Sequence, residues 1–170
     1  MMTRKAIRTT MDEQTTFFDP TAFDPELLAA VDKTGICLDY YSLCDKFPIR
    51  SSYASPKLPT KEIFQEASSR IALKKVKGPG RIFVVEDLPS STLLAFILQG
   101  TTVETEISIQ FNDNSVTTTF AILCNRVTQY TGGGHVLYPR PDVISLEELI
   151  QVFEHLKVIF IKLLTTYSSS

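Results

Sequence analysis

Residues 101–130 constrain this chain more than any other stretch. Val103, Thr105, Ile107, Ile109 and Phe111 alternate with Thr102, Glu104, Glu106, Ser108 and Gln110, the period-two pattern of a strand buried on one face. Asn112-Asp113-Asn114-Ser115 supplies turn chemistry, and Val116, Thr118, Phe120, Ile122 and Cys124 resume the alternation. A two-residue loop (Asp113-Asn114) and a four-residue loop (Asn112 to Ser115) both put Phe111 opposite Val116. Ile107 then faces Phe120, Thr105 faces Ile122 and Val103 faces Cys124, so the apolar sets share one side of the ribbon. A lone hairpin is marginal in water, so more strands and helices must cover it.

The chain has 170 residues, 44% of them hydrophobic, enough for one domain with a real core. The net charge of -2 supplies no global field toward nucleic acid. Cys37, Cys44 and Cys124 lack a CxxC or zinc-type spacing, which predicts free thiols in a reducing compartment. Arg4, Lys5 and Arg8 are followed by no apolar stretch of a signal peptide, and no run approaches the roughly 20 residues of a membrane-spanning helix. The expected location is cytoplasmic, or within a virion if the chain is viral.

Residues 1–20 are polar and Thr-rich and predict a disordered tail, leaving 21–170 as a single domain. Phe18-Asp19-Pro20 recurs as Phe23-Asp24-Pro25. In the second copy Asp24 is an N-cap and Pro25 a first helical residue, opening a helix through Val31. Ile36, Tyr40, Leu43 and Phe47 keep helical spacing. Pro48, Pro56 and Pro59 bracket an exposed Pro/Ser loop over 48–59.

A helix is expected over Thr60–Lys77, capped by Thr60 and stopped by Gly78-Pro79-Gly80. Its second half opens a basic cluster: Arg70, Lys74, Lys75, Lys77 and Arg81 occur without an acid between them. Residues 57–81 carry a local +5, which leaves -7 for the rest of the chain. Two readings follow: an anion patch for phosphates of a membrane surface or ribonucleoprotein, or cations complementing a helix C-terminus. Arg81–Glu86 reads as a buried strand. Leu93–Leu98 fits a strand or a short helix, and the strand completes a meander with the hairpin.

Gly132-Gly133-Gly134 resembles a phosphate-cradling loop only in composition, because no helix start follows it. Leu137-Tyr138-Pro139 opens like the late-budding signals of some viral structural proteins, with Val143 nearest the place where those need a leucine. The last element is a helix from Leu146, with Ser145 and Glu148 as a capping box. Leu146, Leu149, Ile150, Phe153, Leu156, Phe160, Leu163 and Leu164 form its stripe, and Val158, Ile159, Phe160 and Ile161 make its last turns apolar nearly all round. Such a segment is sunk in the core or meets a second molecule; a strand over 157–164 is the rival. Self-association through Val158, Ile159, Phe160 and Ile161 is the functional expectation.

Catalytic chemistry is sparse. No nucleophile elbow, zinc-protease, P-loop or Rossmann pattern occurs. With two histidines, a Cys-His pair such as Cys124 with His135 would need tertiary coincidence. Glu104 and Glu106 read as solubilising charges on the wet face. The expectation is an α+β domain, an antiparallel meander of four to five strands covered by two or three helices, with no catalytic residue, cofactor, metal or small-molecule substrate. In size and layout alone it is similar to the small matrix proteins of negative-strand RNA viruses. That resemblance implies a homo-oligomeric assembly protein; the other class is a protein-binding module such as an adaptor, chaperone or immunity-type protein.

Overall fold

The computed structural model describes residues 23–50, 57–133 and 138–168. The expected tail, the centre of the Pro/Ser loop (51–56) and residues 134–137, with Gly134, His135 and Leu137, lie outside them. Among the described residues the elements are α1 (Pro25–Thr34), α2 (Ile36–Lys46), α3 (Thr60–Ala67), β1 (Leu73–Lys75), β2 (Ile82–Val85), β3 (Leu93–Gln99), β4 (Thr102–Phe111), β5 (Asn114–Thr118), α4 (Phe120–Tyr130) and α5 (Leu146–Ser168). The strands form one antiparallel meander in the order β1-β2-β3-β4-β5. The α+β class and the strand at 93–99 are as expected. Helices gather on one face of the sheet: α4 touches β4, α5 touches β3 and β4, and α1, α2 and α3 stack on those two helices.

Local chemistry explains where the helices begin. The Asp24 carboxylate accepts the Glu26 amide at 2.8 Å, with Pro25 in the first turn. Gly35, at φ +78°, closes α1 in the left-handed region and opens α2 at once. For α5, the Ser145 hydroxyl accepts the Glu148 amide at 3.1 Å. Glu148 reaches back to the amide of Ile144 at 3.0 Å, one residue before the position a capping box uses. Phe153 of α5 then stacks on Phe96 of β3, ring centroids 4.2 Å apart, and leans on Phe83 of β2 at 5.8 Å. Two turns later Phe160 meets Phe120 of α4 edge-on at 6.4 Å. These fully buried rings join sheet to helices; offset and edge contacts add about 0.5–1.5 kcal/mol per pair beyond burial.

Three expectations are corrected. The turn is Asn112-Asp113, both at positive φ (49° and 67°), as a two-residue hairpin loop of the primed type requires. Phe111 therefore pairs with Asn114, Ile109 with Val116 and Ile107 with Thr118. The register differs from expectation by two residues, which keeps every side chain on its face. The second strand does not run on to Cys124. Thr119 caps α4 by accepting the Ile122 amide at 3.0 Å, because Phe120, Leu123, Cys124 and Val127 also have helical spacing and all four are buried.

The third correction is the helix expected over 60–77. It stops at Ala67, and its N-cap is Pro59 rather than Thr60. The Ser68 and Ser69 hydroxyls donate to the carbonyls of Phe64 and Glu66, the local competition by which serine ends helices. Leu73–Lys75 pairs with β2 as an edge strand. The last element is helical through Ser168, as expected, and not a strand over 157–164.

Candidate functional site

The basic cluster does not sit on a helix end. Arg70 lies in the turn after α3 and ion-pairs with Glu147 and Glu154 of α5 at 3.5 and 3.4 Å. Lys75 donates to the carbonyls of Val76 and Gly80. Arg81 donates to those of Leu58 and Gly100 at 2.8 and 3.0 Å, tying the chain before α3 to the β3–β4 turn. Lys74 and Lys77 are exposed. The macrodipole reading of the cluster disappears with the helix.

The four residues of α5 assigned to self-association divide. Ile159 and Phe160 are buried in the core, Phe160 against Phe120. Val158 and Ile161 turn outward, 64% and 42% exposed. Their surface continues onto α2, which runs antiparallel to α5: the Lys162 ammonium meets Asp39 at 2.7 Å. A groove of about 400 Å³ between the helices is lined by Asp39, Ser42, Leu43, Lys46, His155, Val158 and Ile159. Leu38, 75% exposed, lies one turn from Ser42, and Ile161 one turn from Val158, but neither lines the groove. His155 is exposed as expected, its Nδ1 2.8 Å from the Gln151 carbonyl.

Burial holds several titratable side chains in their neutral forms. Burial, opposed by a hydrogen bond with Tyr40, pushes the Cys44 thiol up to about 12, and burial also raises Cys124. All three cysteines are free and buried, and Cys44 and Cys124, held protonated, are poor nucleophiles. Burial likewise raises Tyr40 and takes Tyr41 to about 12. Among the described residues no group of His, Cys, Asp and Glu could hold a metal. None of their helices is long and apolar enough to cross a membrane.

Glu104 departs from its expected role. Its side chain is only 16% exposed, and Oε1 accepts the Thr105 amide at 2.9 Å. Beyond β5, whose last partner on β4 is Ile107, and before Pro141, whose carbonyl accepts the Val103 amide, that amide has no strand opposite. The carboxylate fills the gap, with Arg140 at 3.6 Å. Desolvation raises its pKa, opposed by the Thr105 amide and Arg140. Two other charged residues escaped the sequence reading. Arg50 clasps Glu148 with both terminal nitrogens, at 2.7 and 3.3 Å, and the Asp142 carbonyl at 3.1 Å. Arg126 is buried on α4, donating to Gln129 Oε1 at 3.1 Å. The partners of Arg50 are set by tertiary packing, and the burial of Arg126 is set by the packing of α4, so neither is marked by a local pattern. No protein-family model, curated protein or solved structure matches the chain.

Proposed function

We propose that this chain is a non-enzymatic, self-associating assembly protein whose copies meet through the outward face of the α2/α5 pair. The observation that carries this is the exposure of Val158 and Ile161 one turn apart on α5 and of Leu38 on α2, three of the six exposed large hydrophobic residues among those described, with Val158 bordering the groove between the two helices. Neighbouring exposed apolar side chains beside a groove favour a contact surface over scattered exposure. The charges beside them are mixed: Asp39 against Lys46 and Lys162. A near-neutral face suits a two-fold contact, in which the same patch meets itself. The assembly reading stands without the basic cluster. A contact with an anionic membrane or ribonucleoprotein would be left to Lys74 and Lys77, with no helix terminus beneath them. Three free thiols suit a reducing compartment.

Size-exclusion chromatography with light scattering tests the proposal on the wild type and on Val158→Lys with Ile161→Lys. Both positions face water, so circular dichroism should not change. The wild type is expected above the 19.1 kDa monomer mass and the variant below the wild type. Equal masses for the two would refute the role of this face. A wild type that stays monomeric, but retains a different protein which the variant releases, would support the binding-module reading instead.

A further inference from the structure

The two edges of the sheet differ. β1 is three residues long and carries Lys74 and Lys75, the short, charged form in which edge strands avoid joining other strands. β5, Asn114-Ser115-Val116-Thr117-Thr118, has no charge and no proline. Residues flanking a two-residue hairpin loop exchange both ladder bonds. Asn114, Val116 and Thr118 therefore bond to β4, while Ser115 and Thr117 turn their amides and carbonyls outward. Ser115 and Thr117 are exposed, and none of those outward groups bonds to another main-chain group among the described residues. Val116 between them is only partly buried against the core.

We propose that Gln14-Thr15-Thr16-Phe17-Phe18 of the same chain add to β5 as a sixth, antiparallel strand. Reach selects this occupant first. The described chain begins at Phe23, which is buried in the core, and Glu26 in the first turn of α1 reaches Asn112 of the hairpin turn at 3.5 Å. The preceding residues thus leave the domain beside the Asn114 end of β5. Residues 19–22 can span about 13 Å, and a new strand needs to lie only about 4.8 Å from the last. Traced back from Phe23, the chain passes from the Asn114 end toward Thr118, which makes the pairing antiparallel. Composition agrees: the segment is uncharged and made largely of the strand-favouring threonine and phenylalanine. Asp12, Glu13 and Asp19 flank it outside the paired stretch. A segment on so short a tether also has an effective concentration on the order of 1 mM, which a second copy does not match in dilute solution. Phe17 then exchanges main-chain bonds with Ser115, and Thr15 with Thr117. Thr16 stands opposite Val116, and Phe18, on the helix side, covers Val116 diagonally. The repeated Phe-Asp-Pro acquires two tasks: Phe23-Asp24-Pro25 opens α1, and Phe18-Asp19-Pro20 closes the added strand. The pairing leaves the α2/α5 face untouched and covers the edge through which two sheets could otherwise join.

The test is amide exchange by NMR on the full chain, with Val158→Lys and Ile161→Lys in place so that the helix face does not associate. The Ser115 and Thr117 amides should exchange at least about tenfold more slowly than in the same chain carrying Phe17→Pro, which removes the donor to the Ser115 carbonyl and breaks the added ladder. The Val116 amide, bonded to β4, should be equally slow in both. A second measurement fixes the register. With Thr16→Cys and Val116→Cys together, mild oxidation should close an intrachain disulfide, because opposed residues without ladder bonds have Cα atoms about 4.5 Å apart. Thr16→Cys with Lys74→Cys, on the far edge, should close none, and the three native thiols are buried. Equal exchange in the parent and the Phe17→Pro chain, or no intrachain disulfide from the first pair, would overturn the proposal. Protection of Ser115 and Thr117 that grows with protein concentration would overturn it too, and would assign the edge to a second copy.

Discussion

Replacing Glu148 by Gln tests how the start of the longest helix is anchored. In the wild type Glu148 accepts the Ile144 amide and both terminal nitrogens of Arg50, and the two side chains are each 24% exposed. Glutamine keeps an oxygen for the amide but loses the charge and the two-pronged contact. Hydrogen bonds to charged groups contribute about 1.5–3 kcal/mol when shielded, and exposed pairs about 0.2–1 kcal/mol. A pair three-quarters buried should lie between, so the expected loss is about 1–2 kcal/mol at neutral pH. For a chain of this size that lowers Tm by about 3–6 °C.

The pH dependence separates this from a general packing defect. Arg50 lowers the Glu148 pKa from the ordinary 4.5, so the folded state binds that proton less readily than the unfolded chain. The associated stability is fully present above 4.5 and is lost as pH falls through the lowered value. Thermal melts followed by circular dichroism at stepped pH should therefore show a constant gap between wild type and variant at neutral pH. The gap should close in acid. A gap below about 0.3 kcal/mol at neutral pH, or one unchanged by acid, would refute the reasoning.

Other perturbations have equally definite outcomes. Phe153→Ala removes the ring shared by Phe96 and Phe83 and should cost about 3–5 kcal/mol in denaturant titration; a loss under about 1 kcal/mol would contradict the aromatic joint. Asp113→Gly should stabilise the hairpin by a few tenths of a kcal/mol, since Asp113 holds a positive φ that glycine adopts freely, and a lower urea midpoint would count against the turn. Glu104 is raised above 4.5 by desolvation, so its contribution to stability falls as pH rises through its folded value. Glu104→Gln should remove that part of the slope, and an unchanged slope would rule out a buried carboxylate at the gap. The three buried thiols should resist a thiol reagent until the chain unfolds; rapid labelling of the native protein would contradict their packing.

What the sequence disclosed follows from the range of the physics involved. Asp24-Pro25, Ser145 with Glu148, and the alternation of Val103 to Phe111 act over a few residues, and each element stands where those signals put it. Phe120 to Cys124 was ambiguous because its apolar residues satisfy both periods, and the Thr119 cap decides for helix. Ser68-Ser69 ends α3 by hydroxyl–carbonyl bonds, a weaker sequence signal than the Gly78-Pro79-Gly80 breaker ten residues later. In α5 the stripe was legible but its outward side was not. Only the neighbours of the helix determine that Phe160 points to Phe120 while Val158 points to water. Glu104 shows the same limit, since its task arises where β5 departs from β4.

Self-association is the claim on which the functional account turns, and sedimentation equilibrium of the unmodified chain across about two decades of concentration addresses it most directly. A weight-average mass that rises with concentration above 19.1 kDa, and falls back when Val158 and Ile161 are replaced by lysine, is the predicted result. A mass fixed at that of one chain throughout would contradict it.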